Sequence, residues 1–484
     1  MKQPLKHTRL PRPRGNNPSP PIVSLISLGC AKNTVDSECV LGNLVRSGLL
    51  IAEDPSNADV CLVNTCGFIH DARAEAAEVF GKLARLKTDG QLKAVVALGC
   101  LVEHVANCPE MASFLRQADT WVAFKDYVNL PTLCRELASS APRAAARKAE
   151  PPAPAAPRRM PDSFMNFLAS PRLRIGSPHT AYLKISEGCS NLCRFCSIPR
   201  IRGRQVSRPI EDILSEARTL VDSGVRELNL IAQDTTSYGT DLYGRRRLPE
   251  LLHLLAGLDS AVWLRLLYAH PRFLGDDLLD VLAAGGNICP YIDLPLQHIA
   301  DPMLAAMGRG MTKKETLVLL DRIAGKLPHG ALRTTFIVGY PGETEEQFAE
   351  LLAFVREGRF THLGVFLYSH EPQTSAAGLD DDVPYLVKSR RRGALMMAQI
   401  EVSRARLKRR VGQDLEVMLD DFVMADGSAP AGVFAFGRTR LEAPEVDGLV
   451  YLRGSEPPDL APGVRLQARV VKSFDYDLVA EPTA

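Results

Sequence analysis

No stretch of this 484-residue chain approaches the roughly 20 consecutive apolar residues that a membrane-crossing helix requires, so no membrane span is expected. Nor does an apolar run follow the basic residues Lys2, Lys6, Arg9, Arg12 and Arg14, as a secretory leader would demand. The segment 1–20 is therefore expected to be a disordered basic tail, and the protein to be cytoplasmic. A net charge of only +2 excludes little, because the charge is unevenly distributed along the chain. What is present is the composition of a globular protein, 46% apolar and 24% charged, in a chain long enough for about three domains. Without a leader, the 11 cysteines read as reduced thiols, some of them metal ligands, rather than as a disulfide framework.

From 21 to 139 the apolar runs IVSLISL, ADVCLVN and KAVVAL alternate with helical stretches such as DARAEAAEVFGKLARL, the pattern of an α/β domain with parallel strands. Residues 140–178 are Pro- and Ala-rich. Seven Arg and Lys against two acids give Ala141 to Pro178 a charge of +5, and the stretch reads as a partly disordered linker. From 179 to 411 six strand candidates appear: AYLKI, ELNLIA, VWLRLLY, YIDLPL, RTTFIVG and LGVFLY. Helical patterns such as EDILSEARTLVDS and EEQFAELLAFVRE separate them, which fits a partial (β/α)6 barrel. A basic helix is expected from Lys388 to Arg410, most simply with a solvated surface. Residues 412–484 carry the short β runs LEVML, GVFAFG, GLVYL and VRLQARVV, expected to form a small all-β barrel of the oligonucleotide-binding type.

Cys189, Cys193 and Cys196, in ISEGCSNLCRFCSIPRIRG, follow the first strand of the expected barrel, on the face where such barrels carry their chemistry. Three thiolates in one tight loop are soft ligands suited to an iron–sulfur cluster or zinc, and no fourth ligand lies in the loop. Three ligands on a four-iron cluster leave one iron open to a small molecule. The spacing, with Phe195 before the last cysteine, closely resembles the signature of radical S-adenosylmethionine enzymes. That resemblance implies an open iron that holds S-adenosylmethionine and an electron that cleaves it to a 5′-deoxyadenosyl radical. TTFIVGYPGET, which contains Gly339, is similar to the strand and turn that cradle S-adenosylmethionine in such barrels.

Cys30, Cys66 and Cys100 close the runs VSLISLGC, VCLVNTC and AVVALGC, so a parallel sheet would bring all three to one edge. Gly29, Gly67 and Gly99 beside them would let the backbone approach a bulky cluster. Cys39, Cys61, Cys108, Cys134 and Cys289 lack this placement and are read as packing or surface residues. The phrases SLGCAKNTVDSE, NTCGFI, LGC and YLKISEGC, in this order, resemble the methylthiotransferase family from about residue 22 to 480. This implies a second four-iron cluster on Cys30, Cys66 and Cys100, where sulfur and methyl group are assembled, and identifies the last domain as a TRAM module.

The resemblance further implies two uses of S-adenosylmethionine, one methylating a cluster-held sulfur and one generating the radical that activates an inert carbon, with a low-potential electron donor such as flavodoxin or ferredoxin. Delivery demands that both open irons face the target carbon. Glu187, Gln233, Asp234, Gln297 and His298, at strand ends, are candidates for binding S-adenosylmethionine or substrate, with structural hydrogen bonding an equal alternative. One branch of the family modifies an adenosine of transfer RNA, the other a side chain of a ribosomal protein. From Gly412 to Ala484 thirteen acids face six bases, a charge of −7 that suits a cationic protein partner better than RNA. GRTRLEAPEVDGLVYL, QDTTSYG and YIDLPLQH also resemble the ribosomal-protein branch, which implies methylthiolation of an aspartate β-carbon in the twelfth small-subunit ribosomal protein. A zinc-binding adaptor for nucleic acid or ribosomes is the competing reading, and it predicts a colourless protein.

Overall fold

The computed structural model describes residues 20–139, 159–423, 432–455 and 460–483. All but the last residue of the expected tail, and residues 140–158 of the expected linker, lie outside the described residues. The chain divides into two units, one running to Leu173 and including Arg200–Arg202, the other comprising Arg174–Pro199 and the chain from Gly203 onward.

In the first unit the three expected apolar runs become β1 (Ile22–Ser27), β3 (Val60–Thr65) and β4 (Ala94–Gly99), flanked by the two-residue strands β2 (Leu50–Ile51) and β5 (Thr120–Trp121). The order is β2-β1-β3-β4-β5, parallel throughout. Every residue of β3 and β4 is buried, which is why the stretches VCLV and AVVAL are continuously apolar rather than alternating. Helices α1 (Ala31–Arg46), α2 (His70–Thr88) and α3 (Cys100–Asn107) leave the carboxyl ends of β1, β3 and β4. The strand order reverses between β1 and β3, and sheets of this kind bind ligands at the crevice so formed. A further helix, Asp162–Leu168, falls within the stretch read as linker. Its Phe164 packs on Phe124 and Tyr127 at centroid distances of 4.7 and 5.4 Å, so this part of the stretch belongs to the first unit's core.

All six strands expected of the barrel are present in the second unit. They are β6 (Thr180–Lys184), β9 (Glu227–Ile231), β10 (Trp263–Leu266), β11 (Tyr291–Asp293), β12 (Ala331–Val338) and β13 (His362–Leu367); the short β7 (Ser186–Glu187) and β8 (Val206–Ser207) pair with each other. The parallel sets β6-β9-β10 and β11-β12-β13 meet through a bridge between Leu264 and Ile288, forming an open arc of β/α repeats. Leu183, Leu228, Leu230, Leu264, Leu266 and Ile292 face the surrounding helices in one apolar core. The expected basic helix spans Tyr385–Lys408 and is half solvated, since Lys388, Arg391, Leu395, Ala398, Gln399, Ser403 and Leu407 are buried.

The last domain closes as β14 (Asp414–Phe422), β15 (Val433–Arg438), β16 (Val450–Arg453), β17 (Arg465–Ser473) and β18 (Leu478–Pro482), in the order β14-β15-β16-β18-β17. The segment following β15 seals the foot of the β/α barrel. Buried Glu227, at the start of β9, accepts from Arg438 at 2.8 Å and from Arg265 at 2.7 Å. Burial disfavours its ionised form, but the two guanidinium groups outweigh that and hold its carboxyl at about 2. Arg265 also donates to the Arg440 carbonyl at 2.8 Å, and the Tyr291 hydroxyl donates to Asp447 at 2.6 Å. Asp420, Glu442 and Asp447 are drawn into pairs with Arg438, Arg410 and Arg333. Asp414, Glu416, Asp475 and Glu481 pair with Arg469, Arg465, Arg404 and Arg453. Arg438, Arg465, Arg453 and Arg469 are bases of the same domain, already counted in its −7, so only the pairs with Arg410, Arg333 and Arg404 draw on charge from outside it.

Candidate active site

Parallel pairing sets Ser27 beside Asn64 and Thr65 beside Gly99, which brings the ends of β1, β3 and β4 level. Cys66 and Cys100 follow β3 and β4 directly, and Cys30 follows β1 after Leu28 and Gly29. A Cβ on Gly29, at φ +96°, would stand 2.8 Å from the Cys66 Cβ. One on Gly67 would stand 2.9 Å from the Cys100 carbonyl carbon, and one on Gly99, at φ +89°, 2.2 Å from Asn64 Oδ1. The glycines therefore let the three loops touch one another.

Side-chain amides lock the loops together. Asn33 Nδ2 donates to the carbonyls of Leu28 (2.9 Å) and Thr65 (3.0 Å), and Asn64 Nδ2 donates to the Asn33 carbonyl (3.0 Å) and Ser37 Oγ (2.9 Å). Arg202 completes the cage, its Nε donating to Cys100 Sγ at 3.1 Å and its Nη2 to Asp36 at 2.8 Å. Cys30 is exposed, yet the protein atoms crowded round it act against its thiolate; Lys32, Arg202 and the backbone N–H groups of Asn33 and Lys32 outweigh that, and this thiol is lowered. Burial pushes the Cys100 thiol up to about 12, against the pull of Arg202, and raises that of Cys66.

In the second unit the Cys189 loop is held from both sides. Cys189 N donates to the Gly203 carbonyl, Arg194 N to the Met307 carbonyl and Ala376 N to the Arg194 carbonyl, at 3.0, 3.0 and 2.9 Å. Cys196 N closes a turn on the Cys193 carbonyl at 3.2 Å. Arg309 Nη1 donates to Cys193 Sγ at 3.2 Å, while its Nη2 is anchored on the Pro295 carbonyl at 2.6 Å. Burial pushes the Cys189 thiol up to about 12 and that of Cys196 higher still. Phe195 packs with Met303, Met307, Tyr340 and Tyr368.

The other candidates are placed as follows. Glu187 and Gln233 bond to each other at 3.0 Å, and Glu187 also pairs with buried Lys184 at 2.9 Å. Asp234 organises its own turn and reaches Asn191 Nδ2, in the cysteine loop, at 2.8 Å. His298 lies 3.1 Å from Glu343, whose other oxygen pairs with Arg391 at 2.6 Å. Gly339, at φ +76°, donates its N–H to Glu343 and gives its vacant Cβ position to Lys388, whose Cγ would lie 2.2 Å away. The sequence reading missed Asn33, Arg202, Arg309 and Glu343. Cys39, Cys61, Cys108, Cys134 and Cys289 are all buried, as packing residues should be.

The donor sets suit iron–sulfur clusters and S-adenosylmethionine. Among the described residues no three Cys, His, Asp or Glu form a group that could hold one metal ion. A four-iron cluster does not ask for one, because each thiolate binds a different iron. Gln233 Oε1 and Gln297 Oε1 are buried with no protein partner, and an orphaned buried acceptor is where a ligand's N–H or O–H belongs. Gln297 also holds a left-handed φ of 74°, a strained conformation that tends to mark functional sites.

Comparison with known proteins agrees with this architecture. Residues 23–122 match the uncharacterized protein family UPF0004, 183–355 the radical SAM superfamily, and 411–482 the TRAM domain. The ribosomal protein uS12 methylthiotransferase RimO of Syntrophus aciditrophicus is 41% identical over 459 residues, covering 95% of this chain and 98% of that one. The protein of the same name from Geobacter sulfurreducens is 40% identical, with the same shares covered. Among solved structures, the radical S-adenosylmethionine methyltransferase TsrM of Kitasatospora setae, with cobalamin and a [4Fe-4S] cluster bound, superposes with a TM-score of 0.53. It covers 74% of this chain and 77% of that one at 16% identity, a likeness of fold. Identity of this order along nearly the whole of both chains means that the protein belongs to the RimO methylthiotransferase family, enzymes of the radical S-adenosylmethionine type whose cofactors are that molecule and [4Fe-4S] clusters.

Proposed function

We propose that the enzyme inserts a methylthio group at the β-carbon of an aspartate in ribosomal protein uS12, the substrate printed in its relatives' names. Cys30, Cys66 and Cys100 hold one cluster, and Cys189, Cys193 and Cys196 hold the other. Phe195, Glu187, Gln233 and Gly339 contribute to binding S-adenosylmethionine. The domains are 21–139, whose core the helix Asp162–Leu168 joins, 179–411 and 412–484, the electron donor is a flavodoxin or ferredoxin, and the setting is the cytoplasm; no helix among the described residues is long and apolar enough to cross a membrane.

The observation that carries this reading is the duplication of one chemical device, three thiols, at strand ends in one unit and in one loop in the other, with an arginine donating to one of the sulfurs, Arg202 to Cys100 and Arg309 to Cys193. Bound clusters and S-adenosylmethionine supply what no side chain can, an electron able to generate a carbon radical and a sulfur and methyl group to deliver. The chain's residues hold and orient: thiolates ligate, guanidinium groups fix sulfurs, and the orphaned Gln233 and Gln297 oxygens accept from a ligand. Mass spectrometry of ribosomal proteins and transfer RNA from cells lacking the gene tests the proposal. Loss of a methylthio mass from uS12 with transfer RNA unaltered is the expected result. A methylthio group lost from transfer RNA instead would move the enzyme to the adenosine-modifying branch.

A further inference from the structure

Arg202 is enclosed on every side within the first unit, its side chain 1% exposed. Nη2 donates to Asp36 Oδ2 at 2.8 Å and to Asn33 Oδ1 at 2.5 Å, Nε points at Cys100 Sγ at 3.1 Å, and the guanidinium plane lies 5.1 Å from the centroid of the Phe124 ring. Stability alone does not explain this arrangement. A buried ion pair is often no more stabilising than apolar residues of the same volume, and Asp36, itself 0% exposed, forms such a pair with Arg202. A guanidinium offers what an apolar residue cannot, a permanently ionised group with several directed N–H donors in a rigid plane. Here three fixtures, the carboxylate, the amide oxygen and the aromatic face, aim the remaining Nε–H at sulfur.

We infer that Arg202 is a positioning residue for the cluster held by Cys30, Cys66 and Cys100, and that it sets that cluster's reduction potential. The inference rests on the ligation proposed above. An N–H donor and a positive charge at a ligand sulfur favour the more negative, reduced cluster, and so raise the potential. Asp36 and Asn33 then serve to orient the donor, and Phe124 to keep the guanidinium in its plane.

The test uses the full chain with Cys189→Ala, Cys193→Ala and Cys196→Ala, reconstituted anaerobically so that only the first unit's cluster reports, and titrated with dithionite under electron paramagnetic resonance. Arg202→Gln is expected to shift the midpoint to more negative potential. Arg202→Lys keeps a charge opposite Asp36 but not the directed Nε donor; it is expected to shift the midpoint the same way by less, and it carries the measurement if the glutamine variant fails to load iron. Asp36→Asn removes the carboxylate charge but keeps a side-chain oxygen that accepts from Nη2, so Arg202 stays oriented; it is expected to lower thermal stability without moving the midpoint negative. An unchanged midpoint in both Arg202 variants, or an equal negative shift in Asp36→Asn, would overturn the inference. Cys100→Ala in the same background separates the two readings: if it binds as much iron as its parent, the ligation is wrong, whereas if it loses its iron while the Arg202 variants keep the parental midpoint, only the role of Arg202 fails.

Discussion

Cys189, Cys193 and Cys196 are brought together by a single loop, with local turns and a few bonds to neighbouring barrel loops holding the backbone. Cys30, Cys66 and Cys100 are spread along the chain and meet only because β1, β3 and β4 pair in one register. The first arrangement is written in spacing and survives as long as its loop does. The second is a property of a folded sheet, and any disturbance of the sheet is a disturbance of the ligand set. Both end with an arginine on a sulfur, supplied in each case from a remote part of the chain, 102 residues from Cys100 and 116 from Cys193.

The sharpest way to break this comparison is to remove one thiol from each set. Cys193→Ala is expected to abolish both 5′-deoxyadenosine formation and methylthiolation, whereas Cys66→Ala abolishes methylthiolation but leaves 5′-deoxyadenosine formation, followed by chromatography of the reaction mixture. Loss of both activities in Cys66→Ala would show that the two sets are not separable. Next in size, Glu227→Gln removes a buried charge from between Arg265 and Arg438 and is expected to cost about 3–5 kcal/mol in urea unfolding. Iron bound by the first unit's cysteines, in a variant lacking the loop cysteines, should be unaffected.

The same residue predicts a pH signature. Its folded-state carboxyl, held at about 2, lies below its ordinary value of 4.5. Its stabilising contribution is therefore complete above that ordinary value and is lost as pH falls towards about 2. Stability in Glu227→Gln should depend less steeply on pH through this window. Gly99→Ala acts on the sheet-built set alone. With φ at +89° and Asn64 Oδ1 2.2 Å from the added carbon, it is expected to destabilise by roughly 1–3 kcal/mol and to reduce iron on Cys100 but not on the loop. Smallest of all, Arg453→Ala removes an exposed partner of Glu481 and should leave the thermal midpoint and both iron contents unchanged.

The six barrel strands and both cysteine sets were legible because each announces itself locally, as an apolar run or a fixed spacing. β2, β5 and β18 were not, since two to five residues give too short a pattern to read. Arg202 and Arg309 were invisible for a different reason: their partners are distant in sequence, and nothing in IPRIRG or MGRG marks the side chain that will meet a sulfur. The glycines beside Cys30, Cys66 and Cys100 were legible, but the loops that crowd them were not, because only the folded sheet supplies those neighbours. The acids of the last domain could be counted in the sequence, but not which of them meet arginines, since charge summed over a sequence says nothing about pairing.

The terminal strand β18 hydrogen-bonds to both β16 and β17, so the small barrel cannot close until Pro482 has emerged from the ribosome. Until then Arg438, on a strand of that barrel, has no fixed position from which to meet Glu227, synthesised 211 residues earlier. The β/α barrel therefore waits for β18 to be synthesised before its base is complete, and iron loading before that point would have to proceed on an unfinished scaffold.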